Sequence, residues 1–205
     1  DVSVFSAEAV IKDFLLGNPA GFKSSEAMKV GYIHIDIDEK SLTKDTIIID
    51  RIEVLAPEIT YEKGGGSDNF RAILNNVQSA VGSKTGKKDE PAEENGSEKK
   101  ILIRNFIVKD GKVKLAMTAL GGKGITSPLP DIHLKDIGKE KEGASPAEAF
   151  KEVFASLYSK ITSPSVTDTL NKGVKALGSG LGTVGESAKE GVGAVTDTFK
   201  GLLGK

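Results

Sequence analysis

The side chains here with the greatest chemical reach are two histidines, His34 and His133, and 29 aspartates and glutamates. His34 lies in YIHIDID, from Tyr32, and His133 in DIHLKDI, from Asp131, each at a polar position of an alternating stretch. An imidazole in that setting faces solvent, and neither has a second ligand nearby at metal-binding spacing. Asp36, Asp38 and Glu39 could hold a hard cation along one strand edge, although carboxylates on a strand more often serve only as its solvated side. The three glycines at 64–66 lack the Lys-Ser/Thr of a phosphate loop and read as a turn. There is no nucleophile elbow, no H-E-x-x-H, and no G-x-G-x-x-G between a strand and a helix. The acidic residues single out no acid–base pair. The chain therefore reads as non-enzymatic, with no catalytic residue, cofactor or metal assigned.

Composition narrows the classes further. Lysine and arginine number 28 against those 29 acids, so there is no basic excess to hold a nucleic-acid backbone. The absence of cysteine excludes disulfides and thiolate metal sites and leaves the redox compartment open. No apolar run approaches the roughly 18 residues of a membrane span. A chain of 205 residues is long enough for one domain with a real core and an appendage.

The elements that would carry any function are strands built on a repeat. AVIKDFLLGNP from Ala9, IIIDRIEVLAP from Ile47 and ILIRNFIVKDG from Ile101 share one apolar–polar pattern ending in a turn pair. The second and third copies also match downstream, EITYE with KVKLA, at an offset of 54 residues. Asp110-Gly111 has the form of a tight hairpin turn. Such a turn predicts Val108 opposite Val113 and Phe106 opposite Leu115, with Val54 opposite Ile59 and Ile52 opposite Tyr61 around Ala56-Pro57. In YIHIDID, Ile33, Ile35 and Ile37 alternate with polar residues. The expected fold is α+β: an antiparallel, strongly twisted sheet of repeated hairpins packed with two amphipathic helices. One helix is expected at 67–82, capped by Ser67 or Asp68 and ended by Gly82. The other starts at Ser145, where S-P-A-E supplies an N-cap, a first-turn proline and a capping-box Glu148. The stretch 83–100 holds five positive and five negative charges and no aliphatic residue larger than Ala, which predicts a disordered linker inside the domain.

Residues 1–164 thus form a β-rich domain and 165–205 a C-terminal helical tail. From Val166 to Phe199 the apolar residues take nine steps over 33 positions, an eleven-residue repeat that keeps one stripe in line along a helix. Each interior glycine costs about 0.8–1 kcal/mol relative to Ala. The long, glycine-rich amphipathic helix is therefore expected to form only where its stripe is covered. The candidate lipid- or partner-facing residues are Ile33, Ile35, Ile37, Ile52, Val54, Phe106 and Val108 on the sheet. On the tail they are Leu177, Leu181, Val184, Val192, Val195 and Phe199.

Asn18-Pro19-Ala20-Gly21-Phe22, Ser41-Leu42, the double strand from Ile47 to Glu62 and Asn69 together resemble the N-terminal module of bacterial AsmA-like proteins, over roughly residues 2 to 138. NFIVKDGKVKL is similar to that family's recurring strand–DG–strand element. The resemblance implies a periplasmic cell-envelope protein, anchored in the inner membrane by a segment upstream of Asp1. It also implies an apolar groove involved in lipid traffic, with membrane lipid or envelope proteins as partners. The alternative is a structural, self-assembling protein whose C-terminal helix packs against other copies as a homo-oligomer.

Overall fold

The computed structural model describes residues 6–64, 66–84, 99–116 and 124–181, with side chains for 7–64, 66–79, 99–116 and 124–177. The described residues form a mixed α+β fold dominated by one sheet. In chain order the elements are β1 (Ser6–Gly17), β2 (Glu26–Asp38), β3 (Thr46–Leu55), β4 (Glu58–Gly64), the short β5 (Ser67–Asp68) and α1 (Asn69–Lys84). They continue with β6 (Lys100–Lys109), β7 (Lys112–Ala116), β8 (Ile125–Pro128), β9 (Ile132–Ile137), α2 (Pro146–Ile161) and α3 (Pro164–Leu181).

The expected hairpins around Ala56-Pro57 and Asp110-Gly111 do not form. β2 faces β3 through Tyr32–Leu55 and β4 through Met28–Ile59, with no shift of register between them. β3 and β4 are thus one long strand with a break. β6 and β7 are its parallel neighbour: Ile47 faces Ile101 and Ile59 faces Val113, 54 positions apart in both pairs. The repeat offset is the register in which the two copies lie side by side. β9 and β8 pair antiparallel with β6 and β7 in the same unbroken fashion. The sheet is mixed, and its long strands run in the order β1, β2, β3–β4, β6–β7, β8–β9.

All the breaks fall in one row. The strand pairings place Asp13, Gly31, Ala56, Asp110 and Pro130 side by side. Three of them are left-handed, with φ of 52° at Asp13, 47° at Ala56 and 56° at Asp110. Each strand contributes one extra residue, so the pleat changes parity together across the whole sheet. Val30, Pro57, Gly111 and Leu129 lie three positions from Ile33, Val54, Val108 and Ile132, yet both sets turn to the core side. Hydrogen bonds bridge the crease, from Ala56 N to Lys109 O at 2.8 Å and from Lys112 N to Pro57 O at 2.9 Å. Gly111 is not the left-handed residue. A Cβ there would stand 2.9 Å from Leu129 Cδ2 and 3.2 Å from Pro57 Cγ, so packing demands the glycine.

The helices cover one half of this sheet. Asp68 Oδ1 accepts from Arg71 N and caps α1, which continues past Gly82 to Lys84. α2 has the expected Ser145–Glu148 capping box. It lies over β6 and β9, and its Phe154 stacks on Phe70 of α1 at 5.4 Å. A third helix, α3, begins at Pro164 and packs on β8 with Val166, Leu170 and Val174 buried. The 85–98 part of the expected linker and the tail beyond Leu181 lie outside the described residues.

Gly173 faces this contact, where a Cβ would meet Ile125 Cγ2 at 2.4 Å. Gly173→Ala gains up to about 1 kcal/mol of helix propensity but overpacks the contact by about 1–3 kcal/mol. The melting temperature of Gly173→Ala should therefore fall. Gly31→Ala, whose Cβ would enter open space, should hold or raise it; equal responses in thermal denaturation would contradict the packing of α3.

Candidate functional site: a half-covered apolar sheet face

The position of the β1–β2 hairpin follows from a buried polar hub. The Asn69 side chain accepts from Glu62 N at 3.0 Å and donates to Asn18 Oδ1 at 2.8 Å and to Thr60 O at 2.7 Å. Asn18 in turn donates to Ser24 O at 2.8 Å. The Glu62 carboxylate accepts from Lys23 N at 2.7 Å and Ser24 N at 2.8 Å. Burial pushes its pKa up, but the hydrogen bonds from Ser24 and Lys23 outweigh that and hold it below the ordinary carboxylate range. Gly64 leaves room for Phe22, whose ring carbons would lie 3.3 Å from a Cβ there. Asn18, Gly21, Phe22, Glu62 and Asn69, far apart in sequence, thus meet at one joint of hairpin, strand and helix. The joint is satisfied internally and does structural work.

The hairpin it fixes extends the apolar side of the sheet beyond the helices. Ile33 faces Val54, which faces Val108 in turn, and Ile35 faces Ile52, which faces Phe106, so with Ile37 the seven sheet residues singled out from sequence share one face. A bulge at Asp50, whose carboxylate pairs with Arg104 and whose carbonyl accepts from Asn105 Nδ2 at 3.1 Å, sets Ile49 opposite Ile37. Along one row, exposure falls from 43% at Ile11 to 7% at Val54, 3% at Val108 and 2% at Ile132. Val54, Phe106 and Val108 are buried in the core, with α2 lying over β6. Ile33, Ile35, Ile37 and Ile52 are only half-buried, and Phe150, stacked on Phe154 at 5.6 Å, is 40% exposed. Ile11, Ala9 and Ile49 belong to the same surface. Their signal was present in the strand repeat, but their exposure depends on where the helices land.

Leu177 is on α3 and packs against the core; the Leu181 side chain and Val184, Val192, Val195 and Phe199 lie outside the described residues. On the opposite, polar face of the sheet, Asp38 caps a short turn by accepting from Lys40 N at 3.0 Å. Asp36 pairs with His34 at 3.1 Å and Arg51 at 3.4 Å. Asp36 and Asp38 are therefore used separately, and Glu39 opens the short turn that Asp38 caps. His34 and Asp36 instead gather with Glu8, their ligand atoms within 4.8 Å of one another, while Arg51 neutralises Asp36. His133 binds Asn105 Oδ1 at 3.0 Å. Among the described residues no helix is long and apolar enough to cross a membrane.

Comparison with protein-family models, curated proteins and solved structures finds no match.

The hub gives a pH prediction. A carboxyl whose folded pKa is depressed adds stability that is complete above its unfolded pKa and is lost as pH falls through the folded value. Acid should therefore destabilise the wild-type chain more steeply than Glu62→Gln, which keeps the shape but lacks the titrating group. Parallel acid branches in denaturant midpoints measured against pH would remove Glu62 from this role.

Proposed function

We propose that this chain is a non-enzymatic cell-envelope protein of the AsmA-like kind, whose half-covered apolar sheet face contacts lipid acyl chains. The gradient of exposure along the sheet rows carries the reading. One continuous apolar side is covered by α2 over β6 and β9, but no described helix covers β1, β2 and the Ile49–Ile52 part of β3. The open part presents Ile11, Ile33, Ile35, Ile37, Ile49 and Ile52 on a rigid sheet, without a charged side chain among them. Such a surface has no hydrogen bonds to offer a polar ligand and releases water to a hydrocarbon chain at about 25 cal/mol per Å². A long strand ladder suits an extended acyl chain better than a compact molecule. The convergence of the family-like residues Asn18, Gly21, Phe22, Glu62 and Asn69 on one joint supports the AsmA-like reading, because that joint holds the open hairpin in line with the covered half. In the same reading the sheet is strongly twisted around its apolar side. In α3 the eleven-residue stripe is already covered, with Val166, Leu170 and Val174 buried against the domain, so a second lipid contact falls to its continuation beyond Leu177.

The full chain should bind a fluorescent fatty-acid probe, and Ile35→Glu or Ile52→Glu should weaken binding by about tenfold or more, because the carboxylate would have to be desolvated. Leu55→Glu, on the opposite face, should bind as wild type. No saturable probe binding, or equal loss in all three variants, would defeat the reading.

A further inference from the structure

The two edges of the sheet are built differently. The β8–β9 edge is short and interrupted. It carries Pro128 and Pro130 and a left-handed Asp136 at φ 57°, devices that discourage another strand from joining. β1 has 12 residues and no proline, and among the described residues no strand pairs with its outer side. Val10, Ile11 and Leu15 on it are 45%, 43% and 53% exposed.

The stretch Glu8-Ala9-Val10-Ile11-Lys12 is complementary to itself when reversed. An antiparallel copy centred on Val10 sets Glu8 opposite Lys12 of the partner subunit and Lys12 opposite Glu8 of the partner subunit. Ala9 then meets Ile11 of the partner subunit on the apolar side, a small residue against a large one. Opposite charges directly across a strand pair favour pairing. The need for the partner's charge is visible within one chain. Glu8 stands directly opposite Asp36, a like-charge pair in a cluster with His34, while the permanent charge of Arg51 pairs with Asp36. Lys12, with its Nζ over the Tyr32 ring at 5.4 Å, lies on the same face as Glu8. A second copy would complete a row of Asp36, Glu8 and Lys12 of the partner subunit. The complementary stretch ends at Asp13, where the crease bends the strand.

We infer that β1 is a homodimer edge, pairing antiparallel with β1 of a second copy about a two-fold axis at Val10. Pairing there satisfies the open backbone edge, balances Glu8 and joins the two half-covered apolar faces into one wider surface. It rests on the charge pattern of the polar face and holds whether or not lipid binds the other.

The test is charge swapping in the full chain, read by sedimentation equilibrium over a concentration series without lipid. Wild type should dimerise. Glu8→Lys and Lys12→Glu should each weaken the dimer by about tenfold or more, since both symmetric pairs turn repulsive. An equimolar mixture of the two variants should form heterodimers, and the double variant E8K/K12E should recover the wild-type association. Both positions are exposed, and circular dichroism would verify that each variant keeps its fold. A wild-type chain that stays monomeric at every concentration overturns the inference. So does a dimer of unchanged strength in the single variants, or single-variant loss that neither mixing nor the double swap restores.

Discussion

The row from Asp13 through Gly31, Ala56 and Asp110 to Pro130 is the constraint on which the rest of the sheet depends. A strand's side chains alternate, so one extra residue in a single strand would turn every later residue to the wrong face. Here all five strands take the extra residue at the same level. The apolar side therefore stays continuous from the Ile33–Val54–Val108–Ile132 row to the Val30–Pro57–Gly111–Leu129 row. The cost is left-handed backbone at Asp13, Ala56 and Asp110. Aspartate tolerates that region better than most residues, whereas Ala56 carries more of the strain.

Below the crease the long strands need fixed ends, which the polar hub supplies. Asn69 spends its amide on β4 and on the β1–β2 loop in the same few ångströms where α1 begins. Each of those groups would otherwise be a buried, unpaired polar atom costing about 1–3 kcal/mol. Satisfying them jointly locks hairpin, strand and helix to one another. The same arrangement sets what stays open. α1 is tethered beside β4, α2 lies over β6 and β9, and α3 lies on β8, so the described helices leave the outer part of β1 and β2 uncovered.

Much of this was legible in the chain, but not always for the reason the pattern suggests. The S-P-A-E cap of α2 could be read directly because its chemistry is local. The 54-residue repeat was equally visible, yet its meaning was not. A two-residue hairpin turn and a one-residue crease both reverse parity, so Val108 and Val113 share a face either way. Only hydrogen-bond pairing separates the two, and pairing between distant segments leaves no mark on the apolar pattern. The glycine at 111 also suited a turn, while its use is to admit Leu129 and Pro57. Which isoleucines are exposed was not legible at all, because Ile35 and Phe106 follow the same alternation and differ only in what lies above them.

The crease and the helical layer together concentrate the unfinished surfaces of the molecule on one side. At β8–β9 the edge is broken by prolines and the face is sealed by α2 and α3. Gly173 brings α3 so close to Ile125 that its own helix propensity is given up for the contact. Among the described residues, the β1 edge is long and unpaired, and no helix covers the isoleucine face beside it. Partly exposed isoleucines scattered singly would be ordinary surface. Here they are consecutive in register across β1, β2 and β3, on strands held rigid by the shared crease and the Asn69 joint. Sheet order explains why they coincide: the hairpin that forms the edge also carries the uncovered face. A strand on that edge and a ligand on that face would therefore both contact the β1–β2 hairpin.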